Sequence, residues 1–305
     1  HIKPTNLIST RSTEMSLYII SQLLIRKKDV VLVGNLSNYN ANMIFQEAGA
    51  NIKTIPVDEN GLDINYIEKH FTKGKIRCIY VCSNRDYPTT NTLSAERRLQ
   101  LLQLAKKYQF AIIEDDFDYD FQLEGSAMLP MASSDGNGMV IYLGKLGQSL
   151  FPSFQTGFVV APENLISEAK NYLQMLDKQG DLIQEQVLSE LIYEGEIHRL
   201  LKKNSIIYKQ RRDYTYECLK RYFNETIQFK KSSGGLAIWI EFQPSISLIQ
   251  LAEEVSKLDV SLSKTILYQD KNTCAIRFGF GHLNEEEIEI VISKLNLAYN
   301  SIIKS

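Results

Sequence analysis

Short apolar runs that alternate with helix-periodic segments constrain this chain more than any other feature. Runs such as Val30-Val31-Leu32-Val33, Ile79-Tyr80-Val81-Cys82 and Ile112-Ile113 have no polar alternate face. A strand without a polar face is buried on both sides, which predicts a mainly parallel sheet with helices covering both faces. Strands are expected at residues 29–33, 51–55, 77–82, 110–114, 140–143 and 156–160, and helices at 14–25, 41–48, 61–70 and 95–108. Two long helices follow, at 162–179 and 181–222, the second broken near Gly195. The pattern then changes to strands at 227–230, 235–241 and 275–280, with helices at 247–258 and 284–302. The expectation is an α/β domain over residues 1–215 and a smaller C-terminal α+β domain over 216–305.

Of the 305 residues, 44% are hydrophobic, enough for a core in each of two domains. The net charge of −2 argues against nucleic-acid binding by this chain alone, since such domains carry a basic excess. No apolar run approaches the roughly 18 residues of a membrane span, and the start His1-Ile2-Lys3-Pro4 has no secretory pattern. Cys78, Cys82, Cys218 and Cys274 are too scattered for a disulfide framework or a zinc site. Buried free thiols in a cytoplasmic protein, with no metal, are expected.

Five motifs stand in order along the chain. The first is Ile8-Ser9-Thr10-Arg11-Ser12-Thr13-Glu14-Met15, a strand end feeding a helix start. Then come Tyr80-Val81-Cys82-Ser83-Asn84-Arg85-Asp86-Tyr87-Pro88-Thr89-Thr90 and Ile112-Ile113-Glu114-Asp115-Asp116-Phe117. A glycine-bounded stretch from Gly144 to Gly157 contains Lys145, Gln148, Leu150-Phe151-Pro152 and Gln155, and the last motif is Ile276-Arg277-Phe278-Gly279. Together these resemble the aminotransferase fold, type I of the pyridoxal-phosphate-dependent proteins. Within it they are most similar to the aminotransferase-like domain of the MocR branch of GntR-type bacterial transcription regulators. The resemblance covers almost the whole chain.

The resemblance implies a role for each position. Asp115 stands where a carboxylate keeps the cofactor's pyridine nitrogen protonated, so that the ring can act as an electron sink. Gln148 stands at the lysine that forms the Schiff base, and an amide is not nucleophilic. Gln155 replaces the arginine that clamps the phosphate and has neither charge nor guanidinium fork. Phe117 replaces a tyrosine that hydrogen-bonds the ring's phenolic oxygen. Ser12, followed by Thr13, replaces a glycine at the phosphate-binding helix start, where a side chain restricts backbone approach to an anion. Asp86, before Tyr87, would add negative charge near the ring, and Asn38, beside Tyr39, stands near the usual ring-stacking aromatic. Arg277 matches the arginine that binds a substrate α-carboxylate.

Read on their residue types alone, several of these positions have structural alternatives. Asp115 could cap a loop, although its place after a buried strand favours a ligand site. Arg277 could pair with a surface carboxylate. Lys145, the lysine nearest the missing anchor, could form an imine, supply the vacant phosphate charge, or pair with Asp115 or Asp86. Arg11 either approaches an anion at the helix start or is solvated. Each hydrogen bond to a charged group is worth ~1.5–3 kcal/mol, so losing lysine, arginine and tyrosine together removes most of the cofactor's attachment. The expectation is no catalytic residue, no covalent pyridoxal phosphate, and non-covalent binding left open. The function expected is an effector-sensing and dimerisation domain of a MocR/GntR-like regulator that binds a small anionic or amino-acid-like effector through Arg277. The rivals are an active aminotransferase acting through Lys145 and a pure dimerisation scaffold. The resemblance further implies a homodimer, and contact with DNA only through an N-terminal winged-helix domain that this chain does not include, the chain being a fragment or shortened.

Overall fold

The computed structural model describes residues 2–125, 128–147, 150, 156–176 and 181–304. In chain order the first elements are β1 Leu7–Thr10, α1 Thr13–Leu24, β2 Val30–Gly34, α2 Tyr39–Glu47, β3 Asn51–Ile55, β4 Val57–Asp58, β5 Gly61–Leu62, α3 Ile64–His70, β6 Ile76–Val81, α4 Ala95–Tyr108, β7 Ala111–Asp115, β8 Val140–Leu146, β9 Thr156–Val160, α5 Glu163–Leu176 and α6 Leu182–Tyr193. They are followed by α7 Glu196–Phe223, β10 Gln228–Phe229, β11 Ala237–Glu241, α8 Leu248–Ser256, β12 Leu267–Gln269, β13 Cys274–Gly279 and α9 Glu285–Lys304. The chain divides into two compact units, 1–120 with 126–202 and 121–125 with 203–305. The division falls inside α7, the helix that also holds the 215/216 position.

The first unit is built on a seven-stranded sheet in the order β1-β9-β8-β7-β6-β2-β3. Neighbours from β8 through β3 are parallel, and β9 alone runs against both of its neighbours. Alternation along each strand sends side chains to two cores. Val31, Val33, Cys78, Tyr80, Ile113, Ile141 and Leu143 pack with residues of α1, α2 and α5. Leu32, Ile79, Val81, Ile112 and Val140 pack with residues of α3 and α4 on the other face. The apolar strands are therefore explained by burial on both sides, as a parallel sheet requires. Continuing the same alternation past Ile113 and Leu143 puts Asp115 and Lys145 on the α1 face, while Glu114 follows Ile112 to the opposite face.

Local chemistry sets the element ends. Asn38 accepts hydrogen bonds from Asn40 N and Ala41 N, so α2 begins two residues before the expected 41. Asp63 caps α3 through Tyr66 N, and Gly61-Leu62 pairs with Val57-Asp58 instead of joining the expected helix at 61–70. Gly195, at φ +75°, supplies the left-handed residue between α6 and α7.

The second unit holds a four-stranded antiparallel sheet, β10-β11-β13-β12. Ile238, Ile240, Ile276 and Phe278 alternate into a core completed by Cys218, Leu219 and Phe223 of α7, Leu251 and Val255 of α8, and Ile288, Ile292 and Leu295 of α9. The short strand β12 has no counterpart in the sequence expectations, because its half-exposed residues carry no alternating pattern. Cys78, Cys82, Cys218 and Cys274 are buried free thiols. No helix among the described residues is long and apolar enough to cross a membrane.

One glycine controls how α1 meets the sheet. A Cβ on Gly157 would lie 2.4 Å from the carbonyl carbon and oxygen of Ser12, which are backbone atoms that cannot turn aside. Gly157→Ala is therefore expected to cost about 1–3 kcal/mol, measured by urea unfolding. Gly136→Ala, where an added Cβ meets nothing within 4 Å, serves as the neutral comparison.

Candidate functional site

Glu114, Asp115 and Asp116 leave the carboxyl end of β7 as three successive buried carboxylates. In open α/β sheets this edge is where ligands bind. Burying charge is costly unless it is paired or hydrogen-bonded, so the partners of each carboxylate decide what it does. Glu114, on the α3/α4 face, accepts from the Ser83 hydroxyl, from Met131 N at 2.8 Å and from Ala132 N at 3.0 Å. Asp116 accepts from Asn84 Nδ2 at 2.8 Å and the Tyr142 hydroxyl at 3.2 Å; burial raises its carboxyl, and these hydrogen bonds with Arg85 and Arg98 only partly oppose that rise. Arg98 locks the same loop, donating to the carbonyls of Ser83, Leu93 and Leu129 and to Asn84 Oδ1. Both of these carboxylates are occupied by the protein's own structure.

Asp115 is different. It is 6% exposed, and its Oδ2 accepts from the Tyr80 hydroxyl at 2.7 Å. Its Oδ1 is enclosed and has no hydrogen-bond partner. Burial pushes this carboxyl up to about 7, and Asp116 and Glu14 add to that rise, while the Tyr80 hydroxyl and Lys145 oppose it. Tyr80 in turn accepts from the Cys82 thiol at 3.6 Å and meets Phe45 edge-on. Neither Tyr80 nor its link to Asp115 was foreseen. The signal available was a tyrosine inside an apolar strand, which needs a partner for its hydroxyl when buried.

The other expected residues fall into place around this edge. Tyr87 and Phe117, from the loops after β6 and β7, meet edge-on with ring centroids 6.0 Å apart, and the Tyr87–Pro88 peptide is cis. Phe117 keeps the aromatic volume and offers no hydroxyl. Asp86 accepts from the Thr89 hydroxyl at 2.8 Å, and burial pushes its carboxyl up to about 7. Ser12 caps α1, accepting from Met15 N at 3.1 Å, with an extended backbone at φ −160° that any residue adopts. Its carbonyl also accepts from the Thr10 hydroxyl at 2.7 Å. Thr13, the first residue of α1, is 6% exposed, and its hydroxyl has no hydrogen-bond partner. Arg11 is exposed. No ion pair joins Lys145 to Asp115 or Asp86 among the described residues, so the pairing considered from the sequence gives way to a longer-range attraction. Asn38 is used in capping α2, and Tyr39, 70% exposed, projects to solvent. Gln148 and Gln155 lie outside the described residues. Arg277 sits on β13 in the second unit, opposite Trp239 of β11. Among the described residues no group of three or more His, Cys, Asp or Glu side chains is arranged to hold a metal ion.

This sheet, with an acidic group buried at the end of its central strand, defines the fold of type I pyridoxal-phosphate-dependent proteins. The structure is similar to a kynurenine aminotransferase of Pyrococcus horikoshii at a TM-score of 0.92 and 23% identity, covering 100% of this chain and 77% of that one. The sequence profile of aminotransferase class I and II matches residues 1–295, and the chain belongs to that family. Its relatives include regulators as well as aminotransferases. The uncharacterized HTH-type transcriptional regulator YisV of Bacillus subtilis is 24% identical over 95% of this chain and 60% of its own length. The probable rhizopine catabolism regulatory protein MocR of Rhizobium meliloti is 25% identical over 78% of this chain and 48% of its own. An uncharacterized aminotransferase of Saccharolobus solfataricus is 29% identical over 94% of this chain and 74% of its own. The chain thus spans less than two thirds of the length of these regulators.

The described residues fit the ring-nitrogen end of the family's cofactor. The unpartnered Oδ1 of Asp115 is an acceptor suited to a protonated ring nitrogen. Gln148, assigned to the aldehyde end by the sequence resemblance alone, lies outside the described residues.

The raised Asp115 carboxyl also sets a pH dependence. In the folded chain it holds its proton to about 7, against 3.8 for an ordinary aspartate. Between those values the folded state binds more protons than the unfolded one, so stability from this group is fully present below 3.8 and falls as pH rises towards 7. Asp115→Asn is expected to raise the stability of the ligand-free chain at pH 8 by roughly 1–3 kcal/mol. The gain should vanish towards pH 4, as read by thermal melts across that range.

Proposed function

We propose that this chain is the ligand-sensing and dimerisation part of a MocR/GntR-like transcription regulator, with an aminotransferase fold that no longer forms a covalent bond to its ligand. The observation that carries the reading is Asp115. A buried carboxylate oxygen without a partner is expensive, and a ligand bearing a protonated nitrogen would satisfy it. The sequence meanwhile supplies glutamine at 148 and at 155, where the family holds its cofactor by lysine and arginine. Binding without turnover is what a sensor requires. Regulators among the relatives support the same reading, with DNA contacted by a domain outside this chain. Arg277 is assigned to the carboxylate of an amino-acid-like effector.

A second reading, catalysis through Lys145, draws on the attraction between Lys145 and Asp115 and on the aminotransferases among the relatives. One experiment separates the two. Pyridoxal phosphate is added to the purified chain, followed by borohydride reduction and intact-mass measurement. No adduct and no imine absorption band are expected, and an adduct mapped to Lys145 would establish the catalytic reading.

Self-association draws its support from α6. Leu182, Ile183, Val187, Ile192 and Tyr193 are all exposed, Ile183 at 80% and Tyr193 at 93%, and Leu188 is the helix's buried residue. Apolar surface of this kind marks an interface. The chain is expected to sediment as a dimer, and Ile183→Glu together with Tyr193→Glu to shift it to monomer without loss of helical circular dichroism.

A further inference from the structure

We infer that the amino-terminal edge of the seven-stranded sheet is a contact surface for the phosphate backbone of double-stranded DNA, used beside the DNA-binding domain assigned above to a part of the protein outside this chain. The choice of DNA as the polyanion rests on the regulator reading proposed above.

The surface follows from topology. β7, β6 and β2 are parallel neighbours, so their starts at Ala111, Ile76 and Val30 share one edge of the sheet. Adjacent strands lie about 4.8 Å apart, so the three starts span about 10 Å. Each strand is entered through a basic segment: Arg26-Lys27-Lys28 before β2, Lys73-Gly74-Lys75 before β6, and Lys106-Lys107 at the end of α4 before β7. All of these residues are exposed. Contacts tie the segments together. Gly74 N donates to Tyr108 O at 3.4 Å, and Lys28 N donates to Gly49 O at 2.8 Å. Arg77 joins the entries of β2 and β6, reaching Asp29 at 3.7 Å and the carbonyl of Leu24.

The acids beside these segments are already engaged. Asp29 pairs with Arg77, and Glu68 with Lys107 at 3.1 Å. Among the described residues no ion pair takes up Arg26, Lys27, Lys28, Lys73, Lys75 or Lys106. With Glu47 at the end of α2 included, the edge keeps a clear basic excess. Lys106 and Lys107 stand in the last turn of α4, where the helix dipole favours cations. That cause does not extend to Arg26, Lys27, Lys28, Lys73 and Lys75, which lie outside the helices. Lys28 adopts φ +74°, a conformation that glycine takes more cheaply, so a lysine there bears a backbone cost with no ion pair to offset it.

The net charge of −2 averages over an asymmetry. Glu114, Asp115 and Asp116 collect at the carboxyl edge of the sheet, and the basic segments stand at the amino edge, roughly 15–20 Å away at about 3.3 Å per strand residue. The surface is therefore separate from the site described above. Its composition selects the partner. Protein interfaces draw on aromatic and other apolar anchors and are poor in lysine, and membrane-surface segments insert apolar side chains. No large hydrophobic residue is exposed within 26–29, 69–77 or 106–109. Backbone phosphates require charge and no apolar pocket.

The test is fluorescence anisotropy of the 305-residue chain with a labelled duplex of about 30 base pairs and arbitrary sequence, across a salt series. Binding at about 10⁻⁶–10⁻⁴ M is expected at low salt, with log affinity falling against log salt at a slope of about −5, one phosphate for each unpaired cation named above. Lys27→Glu, Lys73→Glu and Lys106→Glu combined should weaken binding at least about tenfold and make the slope shallower by about 3. Arginine at the same three positions should retain binding. Lys230→Glu, Lys264→Glu and Lys271→Glu combined, all exposed in the second unit, change the net charge equally and should leave affinity within about threefold. Circular dichroism confirms that each variant folds. No binding by the unaltered chain, binding insensitive to salt, or equal losses in the two glutamate variants would overturn the inference. Equal or tighter binding to poly-L-glutamate, or to vesicles of equal parts phosphatidylcholine and phosphatidylserine, would overturn the assignment to DNA. An adduct in the borohydride experiment overturns the non-covalent sensing reading and leaves this surface to stand or fall by the titration. Failure here without an adduct there overturns this inference alone.

Discussion

Three consecutive carboxylates at the end of one buried strand impose the main constraint on this molecule. Glu114, Asp115 and Asp116 cannot all be buried without donors, and the loops after β6 and β7 are arranged to supply them. Ser83, Asn84 and the amides of Met131 and Ala132 serve Glu114 and Asp116. Arg98 binds the carbonyls of that same loop and holds the donors in position. What remains on the α1 face is the enclosed Oδ1 of Asp115, which has no hydrogen-bond partner. The third, Asp115, is served on one oxygen by Tyr80 and on the other by no group of the protein.

The electrostatics of this third group are set by its surroundings. Tyr80 and Lys145 favour the ionised form of Asp115, and burial, Asp116 and Glu14 favour the protonated one. A carboxyl poised near neutrality responds to small changes in its surroundings. A ligand that brought a positive nitrogen to Oδ1 would stabilise the ionised form and take a proton-linked share of the binding energy. The same poise suits a sensing site and a catalytic one.

Much of the fold was legible in the sequence. The helix at 95–108 coincides with Ala95–Tyr108, because Ser94 caps it, the apolar periodicity is unbroken, and Gln109 ends it in the left-handed conformation. The parallel sheet followed from strands with no polar face. The misplaced starts of α2 and α3 have one cause, side-chain caps at Asn38 and Asp63 that compete with helix periodicity. At the site, Asp115 was recognisable by its place after a buried strand. Tyr80 and Arg98 were not, since their roles depend on partners between five and thirty-five residues away.

The sequence by itself determined the layered α/β architecture and the residue types that stand along the site's edge. These depend on hydrophobic periodicity and on chemistry that a side chain carries wherever it is placed. Only the tertiary structure decided which of the three carboxylates keeps a spare oxygen, that Lys145 acts on Asp115 through space without pairing with it, and that Gly157 brings Ser12 against β9. Those outcomes depend on strand register and on the faces to which side chains project. A shift of one residue in register would send Asp115 and Lys145 to the opposite side of the sheet.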